Sequence, residues 1–284
     1  MTPSTSVVTL NKGRGAHLAR LLEGLARGAP PDECIVVDMD SEPVPLPELG
    51  FPITRVALPS AGLPLARARN AGRRAAQGRH LVFLDVDCIP SADLVARLSR
   101  DLDEADGMVC CEVRYLPAGA VGANWTEAGL SAVGHTHPVR RFPREGLART
   151  DNPGLFWSLV FGVRAETFDR LGGFDEAFDG YGAEDTDLAF RAEAAGVPVL
   201  LSASGRAFHQ HHAAYDPPLQ HFADIVRNAR RFHARHGLWP MDGWLDAFAR
   251  LGLVSPRSGG DLVVLRAPSP AEIAAARLPP ERPF

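Results

Sequence analysis

The stretch His80-Leu81-Val82-Phe83-Leu84-Asp85-Val86-Asp87-Cys88-Ile89-Pro90 decides the fold class of this 284-residue chain. Residues 80–84 form a continuous, mainly apolar run, which predicts a strand that is buried on both faces. Such strands belong to parallel sheets that helices cover on both sides. Asp85 and Asp87 follow at the carboxyl end of the strand, where open α/β sheets bind their ligands. The stretch therefore predicts an α/β fold with a ligand site at this strand end.

The rest of the chain alternates between strand and helix patterns, which predicts a mostly parallel central sheet flanked by helices. Apolar or β-branched runs predict strands over residues 6–10, 34–37, 53–58, 80–84, 108–113, 157–163 and 197–201. Periodic apolar residues predict helices over residues 17–27, 65–77, 92–102, 167–171, 185–195, 219–235 and 244–251. Residues 115–150 show no clear period, and the Pro- and Ala-rich residues from 267 onward are expected to run over the surface. We therefore expect one α/β domain over residues 1–213 and a helical C-terminal extension over residues 214–284.

Composition narrows the class of protein. With 45% apolar residues, 23% charged residues and a net charge of −4, the chain is neither disordered nor basic enough to suggest a nucleic-acid binder. No apolar run reaches the roughly 18–20 residues of a membrane span, and no signal-peptide pattern begins the chain, so a cytoplasmic location is expected. The four cysteines form no Cys-x-x-Cys pair and are expected to be free thiols: Cys34, Cys88, Cys110 and Cys111.

Acidic residues follow two of the predicted strands. Asp38 ends the strand over residues 34–37, and Asp85 and Asp87 end the strand over residues 80–84. Two carboxylates separated by one residue can hold a hard divalent cation and, through it, a diphosphate. The alternative is an acidic turn that only ends a strand. Because these acids lie at the carboxyl ends of strands in an α/β sheet, we favour ligand binding.

A second acidic cluster lies in Gly180-Tyr181-Gly182-Ala183-Glu184-Asp185-Thr186-Asp187. Carboxylates in the first turn of a helix are stabilised by the helix dipole, which is a purely structural explanation. Glu184 and Asp185 also follow a glycine-flanked aromatic residue, on a segment that we expect to be a mobile loop. In that setting one acid can act as a general base while its neighbour orients an acceptor. The residues alone leave both interpretations open.

Histidine and arginine residues supply further candidates. The segment Phe208-His209-Gln210-His211-His212 follows a predicted strand, a frequent setting for metal ligands, although solvated surface histidines give the same pattern. Arg67 and Arg69 either neutralise phosphate or lie on a solvated helix face. The chain contains no GxGxxG, GxxxxGK[ST], HExxH or GxSxG motif. This argues against dinucleotide-dependent dehydrogenases and P-loop enzymes.

Together these motifs resemble a glycosyltransferase of the GT-A fold, in the broad family-2 group, and most nearly the catalytic region of the β-1,4-galactosyltransferases. Residues 11–18, Asn-Lys-Gly-Arg-Gly-Ala-His-Leu, resemble that family's exit from its first strand. Residues 83–90 are similar to its Asp-Val-Asp-x-Ile-Pro motif. Residues 172–175 and 182–187 resemble its Gly-Phe and Trp-Gly-Gly-Glu-Asp-Asp-Asp segments. The resemblance covers residues 6–212.

The resemblance implies a nucleotide-sugar donor, with a UDP-sugar favoured. It places Asp38 at the base or ribose, Arg69 near the diphosphate and Asp85 at the ribose or the metal. The complete set that it implies for donor binding is Thr9, Asn11, Arg14, Asp38, Arg69, Asp85 and Val86.

The resemblance also implies a metal site and an acceptor site. The implied ligands of a Mn²⁺ or Mg²⁺ ion are Asp87, His209 and His212. His209 takes a position where the family has Met, which replaces a soft thioether with an imidazole. Tyr181 stands where the family has a Trp that packs on the acceptor. Glu184 would hydrogen-bond the acceptor, and Asp185 would be the catalytic base.

We therefore expect a metal-dependent, inverting glycosyltransferase whose acceptor is a hydroxyl of a carbohydrate, glycoconjugate or small molecule. Two alternatives stay open. A phosphatase of the haloacid dehalogenase kind also places Asp-x-Asp after a strand, and a sugar-nucleotide-binding module without activity would keep the same acids. The sequence names neither the sugar nor the acceptor, and a homo-oligomer is one option for the quaternary structure.

Overall fold

The computed structural model describes residues 5–40, 42–256 and 260–281. The strands in these residues are β1 (Thr5–Asn11), β2 (Glu33–Asp38), β3 (Ile53–Ala57), β4 (His80–Leu84), β5 (Cys88–Pro90), β6 (Met108–Tyr115), β7 (His135–Thr136), β8 (Leu147–Arg149), β9 (Val160–Arg164) and β10 (Val199–His209). The helices are α1 (Gly15–Arg27), α2 (Leu65–Ala75), α3 (Leu94–Glu104), α4 (Glu127–Val133), α5 (Ala165–Arg170), α6 (Glu184–Ala194), α7 (Phe222–His236), α8 (Asp242–Arg250) and α9 (Pro270–Ala275). The predicted α/β class is confirmed.

The central sheet is mixed rather than mostly parallel. Its strand order is β3-β2-β1-β4-β9-β6-β10-β5, with β7 beside β6 and β8 beside β10. Strands β3, β2, β1 and β4 pair in parallel, as do β6 and β10. Strand β9 lies antiparallel between β4 and β6, and β5 pairs antiparallel with β10. A strand covered by helices on both faces is apolar throughout in either direction, so its sequence pattern did not reveal the antiparallel pairing.

Helices pack on both faces of the sheet. The apolar faces of α1 and α3 cover one face, and α2, α5 and α6 cover the other. On the second face, Phe83 of β4 stacks on Phe161 of β9, with 4.8 Å between ring centroids. Helix α2 approaches β1 so closely that a Cβ atom on Gly72 would lie 2.3 Å from a methyl group of Val8. Only glycine allows this contact, because any larger side chain would overlap the valine.

Two segments differ clearly from their predicted structure. The strand predicted over residues 197–201 continues as β10 to His209, past an irregularity in its pairing where Gly205 has φ +69°. Residues 115–150, for which the lack of a period predicted no elements, contain α4, β7 and β8. Helix α4 has seven residues and is capped by the Thr126 side chain, which accepts from the Gly129 N–H. So short a helix shows too few turns for a periodic pattern to emerge.

The C-terminal residues fold back on the chain. Helices α7 and α8 enclose an apolar cluster that includes Ile225 and Phe248. Residues 267–281 lie at the surface, as expected, and α9 forms there with a capping box between Ser269 and Glu272. The N–H of Leu278 then donates to the carbonyl of Ala214.

The described residues also bear on membrane spanning and on the cysteines. Across residues 5–40, 42–256 and 260–281, no helix combines the length and the hydrophobicity needed to cross a membrane. All four cysteines are buried free thiols, as predicted. Burial raises the pKa of the Cys34 thiol to about 12, so this group stays protonated and unreactive at neutral pH.

Candidate active site

Strand pairing brings the histidines to the paired aspartates. After β4 the chain turns through residues 85–87 and continues as β5, which lies beside β10. In this antiparallel ladder Cys88 pairs with His209. The N–H of Gln210 donates to the carbonyl oxygen of Asp87 at 2.6 Å. His209 is therefore the last residue of a strand rather than part of the following loop, and it lies next to Asp87.

Asp87, His209 and His212 form a compact cluster. Asp87 Oδ1 lies 3.5 Å from His209 Nε2, and Asp87 Oδ2 lies 3.4 Å from His212 Nε2. One candidate ligand atom from each of the three residues falls within 4.8 Å of the other two. His211, which the sequence left open as a ligand, is not part of this cluster. Ligand atoms on one hard cation lie about 3 Å apart, so the three side chains need only small movements to share an ion.

His209 and Asp87 have the protonation states that metal ligands need. Burial lowers the pKa of His209 to about 4, so its imidazole is neutral at physiological pH. Burial also acts to raise the pKa of Asp87, but His209, His212 and the Arg14 guanidinium outweigh it and hold that pKa well below its usual range. Arg14 donates directly to Asp87 Oδ2. The carboxylate and the two imidazoles are suitable ligands for a divalent cation, which would compete with Arg14 for Asp87 Oδ2.

Glu184 and Asp185 form the start of α6, which confirms the helix predicted from Asp185 and places neither acid on the loop that we also considered. The Glu184 residue is 4% exposed, and its Oε1 accepts from Arg69 Nη1 at 3.0 Å. The Asp185 carboxylate accepts from the backbone N–H of Ser158 at 3.3 Å and of Thr186 at 2.7 Å. Backbone donors at a helix start hold a carboxylate in place while leaving oxygen lone pairs available.

Arg69 connects the two groups of acids. Its guanidinium is buried and donates to Glu184 at 3.0 Å and to Asp85 at 3.2 Å. Burial and the neighbouring Asp185 together raise the pKa of Glu184 to about 7, against the opposing effect of Arg69. Burial likewise raises the pKa of Asp85 to about 6. The solvated-face interpretation is thus wrong for Arg69, although it describes the exposed Arg67.

Tyr181 lies between the acids and the C-terminal helices. Burial raises its pKa well above the usual range, and four carboxylates add to this effect: Glu184, Asp185, Asp85 and Asp87. On the other side, the Tyr181 ring stacks on His221, with ring centroids 4.4 Å apart and ring planes 12° from parallel. Trp244 of α8 lies behind them, with its ring centroid 6.1 Å from that of Tyr181.

A further polar cluster lies at the carboxyl ends of β1 and β2. Parallel pairing sets Asn11 opposite Asp38, and Asn11 Nδ2 donates to Asp38 and to Asp40, both at 3.1 Å. Arg55 of β3 lies 3.6 Å from the Asp38 carboxylate. The sequence prediction missed Asp40 and Arg55. Asp40 repeats the Asp-x-Asp spacing after Asp38 and could have been found, whereas Arg55 lies inside a strand with no signal to mark it.

Two residues that the resemblance assigns to donor binding are buried. Thr9 is fully buried within β1, and Val86 is 7% exposed and packs into the apolar core. Their part in donor binding stays a prediction. The sequence prediction also missed a group of aromatic side chains that packs beside His209. Tyr115 lies 5.0 Å from His209, and His137 meets Trp157 at 4.7 Å, each measured between ring centroids.

Solved structures share this architecture. The crystal structure of GalNAc-T7 with UDP, GalNAc and Mn²⁺ superposes with a TM-score of 0.55 at 20% identity, over 74% of this chain and 44% of that chain. Residues 1–349 of S. aureus TarS in complex with UDP-GlcNAc give a TM-score of 0.55 at 16% identity, over 81% and 66% of the two chains. The protein therefore has the GT-A fold of these glycosyltransferases.

Family models identify the chain more closely. The model for glycosyl transferase family 2 matches residues 5–172, and a model described as the N-terminal domain of galactosyltransferase matches residues 150–213. The first match spans more than half of the chain. The chain belongs to glycosyl transferase family 2, and this membership excludes the haloacid dehalogenase alternative.

Curated relatives agree with this assignment. Two proteins named Validoxylamine A glucosyltransferase, from Streptomyces hygroscopicus subsp. limoneus and subsp. jinggangensis, are each 30% identical to this chain over 261 residues. The alignments cover 82% of this chain but only 57% and 61% of the two relatives. The O-antigen biosynthesis protein RfbC of Myxococcus xanthus is 30% identical over 51% of this chain and 12% of its own length.

Proposed function

We propose that this chain is a metal-dependent, inverting glycosyltransferase that moves a sugar from a UDP-sugar to an acceptor hydroxyl. The observation that carries the proposal is the arrangement around Arg69. On one side Asp85 leads to the cluster of Asp87, His209 and His212, and on the other side lie Glu184 and Asp185. A cation site for a diphosphate next to a candidate base is what transfer from a nucleotide sugar requires.

Asp87, His209 and His212 would hold Mn²⁺ or Mg²⁺. The bound cation would offset the charge that develops on the leaving diphosphate. Carboxylate oxygen suits both ions, whereas imidazole nitrogen is an uncommon ligand for Mg²⁺, so the set favours Mn²⁺. The GalNAc-T7 structure, which holds UDP and Mn²⁺ together, supports this choice.

The donor would lie along the carboxyl ends of the strands. Asn11 and Asp38, which already bond to each other at the ends of β1 and β2, would contact the base and ribose. Arg14 pairs with Asp87 in this structure, and once a cation occupies that carboxylate the guanidinium becomes available to the diphosphate. The names of the glucosyltransferase relatives and the UDP-GlcNAc bound to TarS support a UDP-sugar as donor.

The acceptor would lie against Tyr181, with Glu184 accepting a hydrogen bond from one of its hydroxyl groups. Asp185 would take the proton from the attacking hydroxyl as its oxygen bonds to the anomeric carbon. The bond from that carbon to the diphosphate breaks on the opposite face, so the anomeric configuration inverts. The backbone N–H groups of Ser158 and Thr186 would keep the Asp185 carboxylate in position throughout.

The proposal is tested with UDP-, GDP- and TDP-sugars, each with Mn²⁺, Mg²⁺ or EDTA. We expect a UDP-sugar with Mn²⁺ to raise the melting temperature most, because a ligand that binds only the folded state stabilises it. NMR of the product should then show an anomeric configuration opposite to that of the donor. Retention of configuration would contradict the inverting mechanism. Donor binding without release of UDP to any acceptor or to water would favour the non-catalytic binding module.

A further inference from the structure

Helix α7 belongs to the C-terminal extension, yet it contacts the segment that carries the candidate acids. The Asn228 side chain is fully buried between α7 and this segment. Its Nδ2 donates to the carbonyl oxygens of Asp179 at 3.0 Å, Tyr181 at 3.3 Å and Gly182 at 3.0 Å. One side-chain amide thus binds the backbone of the whole turn that ends just before Glu184.

Two further residues of α7, one of them a turn before Asn228 and the other directly before it, contact the same turn. The Asp224 carboxylate accepts from the Tyr181 N–H at 3.4 Å, and Arg227 donates to the Asp179 carbonyl at 2.5 Å and to Asp224 at 2.8 Å. Gly180 has φ +79°, and a Cβ atom there would lie 2.3 Å from the Asp224 carboxyl carbon. The turn therefore follows the surface of α7 so closely that residue 180 has no room for a side chain.

The end of α7 contacts the other side of the acids. Asp187, two residues after Asp185, is fully buried and accepts from Arg235 at 2.7 Å and from Arg191 at 2.8 Å. Its Oδ1 also lies 2.9 Å from His236 Nε2. Helix α7 thus holds the chain on both sides of Glu184 and Asp185.

We propose that Asn228 is a positioning residue that fixes the turn before Glu184, so that the C-terminal extension completes the active site. The inference rests on the proposed function, because it assigns Asn228 to the placement of the acceptor-side acids. It also revises the expected boundary at residue 213: residues 1–213 would carry the reacting groups, and α7 would set their geometry. Misplacement of reacting groups by about 1 Å can cost about 100-fold in rate, so a residue that does not contact substrate can still control turnover.

The test compares Asn228→Asp with Arg230→Ala. Asn228→Asp keeps the side-chain shape but replaces the amide donor with an oxygen that repels the three carbonyl groups. Arg230 lies on the same helix and donates to the Leu262 carbonyl at 2.9 Å, away from the acids, so its loss destabilises α7 without releasing the turn. For each variant we would measure amide hydrogen exchange over residues 179–187, the melting temperature, and the kcat and KM of UDP release from the donor.

We expect Asn228→Asp to speed exchange over residues 179–187 and to lower kcat about 10- to 100-fold, while the donor KM changes less than about twofold. Arg230→Ala should lower the melting temperature without either effect. The proposal is overturned if exchange is unchanged, or if kcat falls no further than in Arg230→Ala. If Asn228→Asp does not fold, Arg227→Met removes a contact to the same turn and should lower kcat several-fold at constant KM.

The hydrogen-exchange result does not depend on catalysis. If the wild-type chain neither binds UDP nor transfers a sugar, the proposed function fails, whatever the exchange data show. If the wild-type chain is active and Asn228→Asp behaves as Arg230→Ala does, only the positioning role fails.

Discussion

The two halves of the candidate site hold buried carboxylates whose pKa values shift in opposite directions. On the metal side, His209, His212 and Arg14 hold the pKa of Asp87 well below its usual range, despite burial. On the acid side, burial and Asp185 raise the pKa of Glu184 to about 7, despite Arg69. Both acids are nearly inaccessible to solvent, so burial alone does not explain the difference. The number and type of their neighbours do.

This difference separates two kinds of chemistry. A carboxylate that stays ionised at every physiological pH suits a cation, because protonation never competes with the metal. A carboxylate with a pKa near neutrality is poised to exchange protons or to accept hydrogen bonds from a substrate. The comparison supports the proposed roles, in which the side of Asp87 would stabilise the leaving group and the side of Glu184 and Asp185 would activate the acceptor.

Removing the candidate base should have the largest effect. We expect Asp185→Asn to lower sugar transfer about 10²- to 10⁴-fold, because the amide cannot take the acceptor proton, while UDP binding in Mn²⁺ stays unchanged. Asp179→Asn changes an exposed acid at the start of the same turn and serves as the matched control. Rates and calorimetric UDP affinity decide the outcome. Wild-type turnover in Asp185→Asn would remove this residue from the mechanism.

Altering the metal side should change a different quantity. We expect His209→Ala to raise the Mn²⁺ concentration needed for half-maximal activity by at least about tenfold, since it removes a neutral imidazole from the cluster. His211→Ala, next to the cluster but outside it, should leave that concentration unchanged. Equal Mn²⁺ requirements in the two variants would contradict the assignment of His209 as a ligand.

The pH dependence of kcat/KM should reflect the protonation of Glu184. We expect kcat/KM to fall as the pH is lowered through about 7. Protonation of Glu184 removes the negative charge that pairs with Arg69 and that would accept a hydrogen bond from the hydroxyl group of the acceptor. Glu184→Gln should have low activity that lacks the transition near pH 7, so that only the protonation of Asp85, whose pKa is about 6, remains in this range. Rates between pH 5.5 and 8.5, taken at saturating Mn²⁺, provide the measurement.

The free energy of unfolding should change with pH in the direction opposite to that of kcat/KM. The folded-state pKa of Glu184 lies above its ordinary value of 4.5, so the folded protein binds this proton more tightly than the unfolded chain. The contribution of Glu184 to the free energy of unfolding therefore grows as the pH falls from about 7 towards 4.5. Denaturant titrations of the wild type and of Glu184→Gln at each pH give two free energies of unfolding, and their difference measures this contribution. A difference that shrinks with falling pH would contradict the raised pKa.

Arg14 should give the smallest effect. We expect Arg14→Ala to tighten Mn²⁺ binding about two- to fivefold without donor, because a partly exposed cation no longer pairs with Asp87. Arg20→Ala is the control, since Arg20 lies on α1, the helix that begins directly after Arg14, but its guanidinium contacts Gln210 instead. Weaker Mn²⁺ binding in Arg14→Ala would show that Arg14 supports the ion rather than competing with it.

The sequence predicted the parts of the site that follow single strands. Asp38, Asp85 and Asp87 occupy the strand ends where they were expected, because apolar runs locate strands and parallel strands share one ligand-binding edge. The convergence of His209 and His212 on Asp87 could be expected only from the family resemblance. It depends on the antiparallel pairing of β5 with β10, which no local pattern reveals.

Contacts between distant elements could not be predicted at all. The burial of Arg69 between Asp85 and Glu184 depends on how α2 and α6 meet, and a helix with a basic face gives the same sequence pattern whether that face is solvated or buried. Nothing in the sequence indicated the role of Asn228, because a buried amide on an amphipathic helix cannot be told from an exposed polar residue by its position in the sequence. Its partners are backbone carbonyls, which carry no sequence signature.

Calorimetric titration of UDP tests the central claim most directly. It would compare the wild type with Asp87→Asn, each in Mn²⁺ and in EDTA. The account predicts that wild type binds UDP in Mn²⁺ and at least about tenfold more weakly in EDTA, and that Asp87→Asn binds weakly in both. Equal UDP affinity in Mn²⁺ and EDTA for the wild type, unchanged in Asp87→Asn, would contradict a metal-held diphosphate at this site.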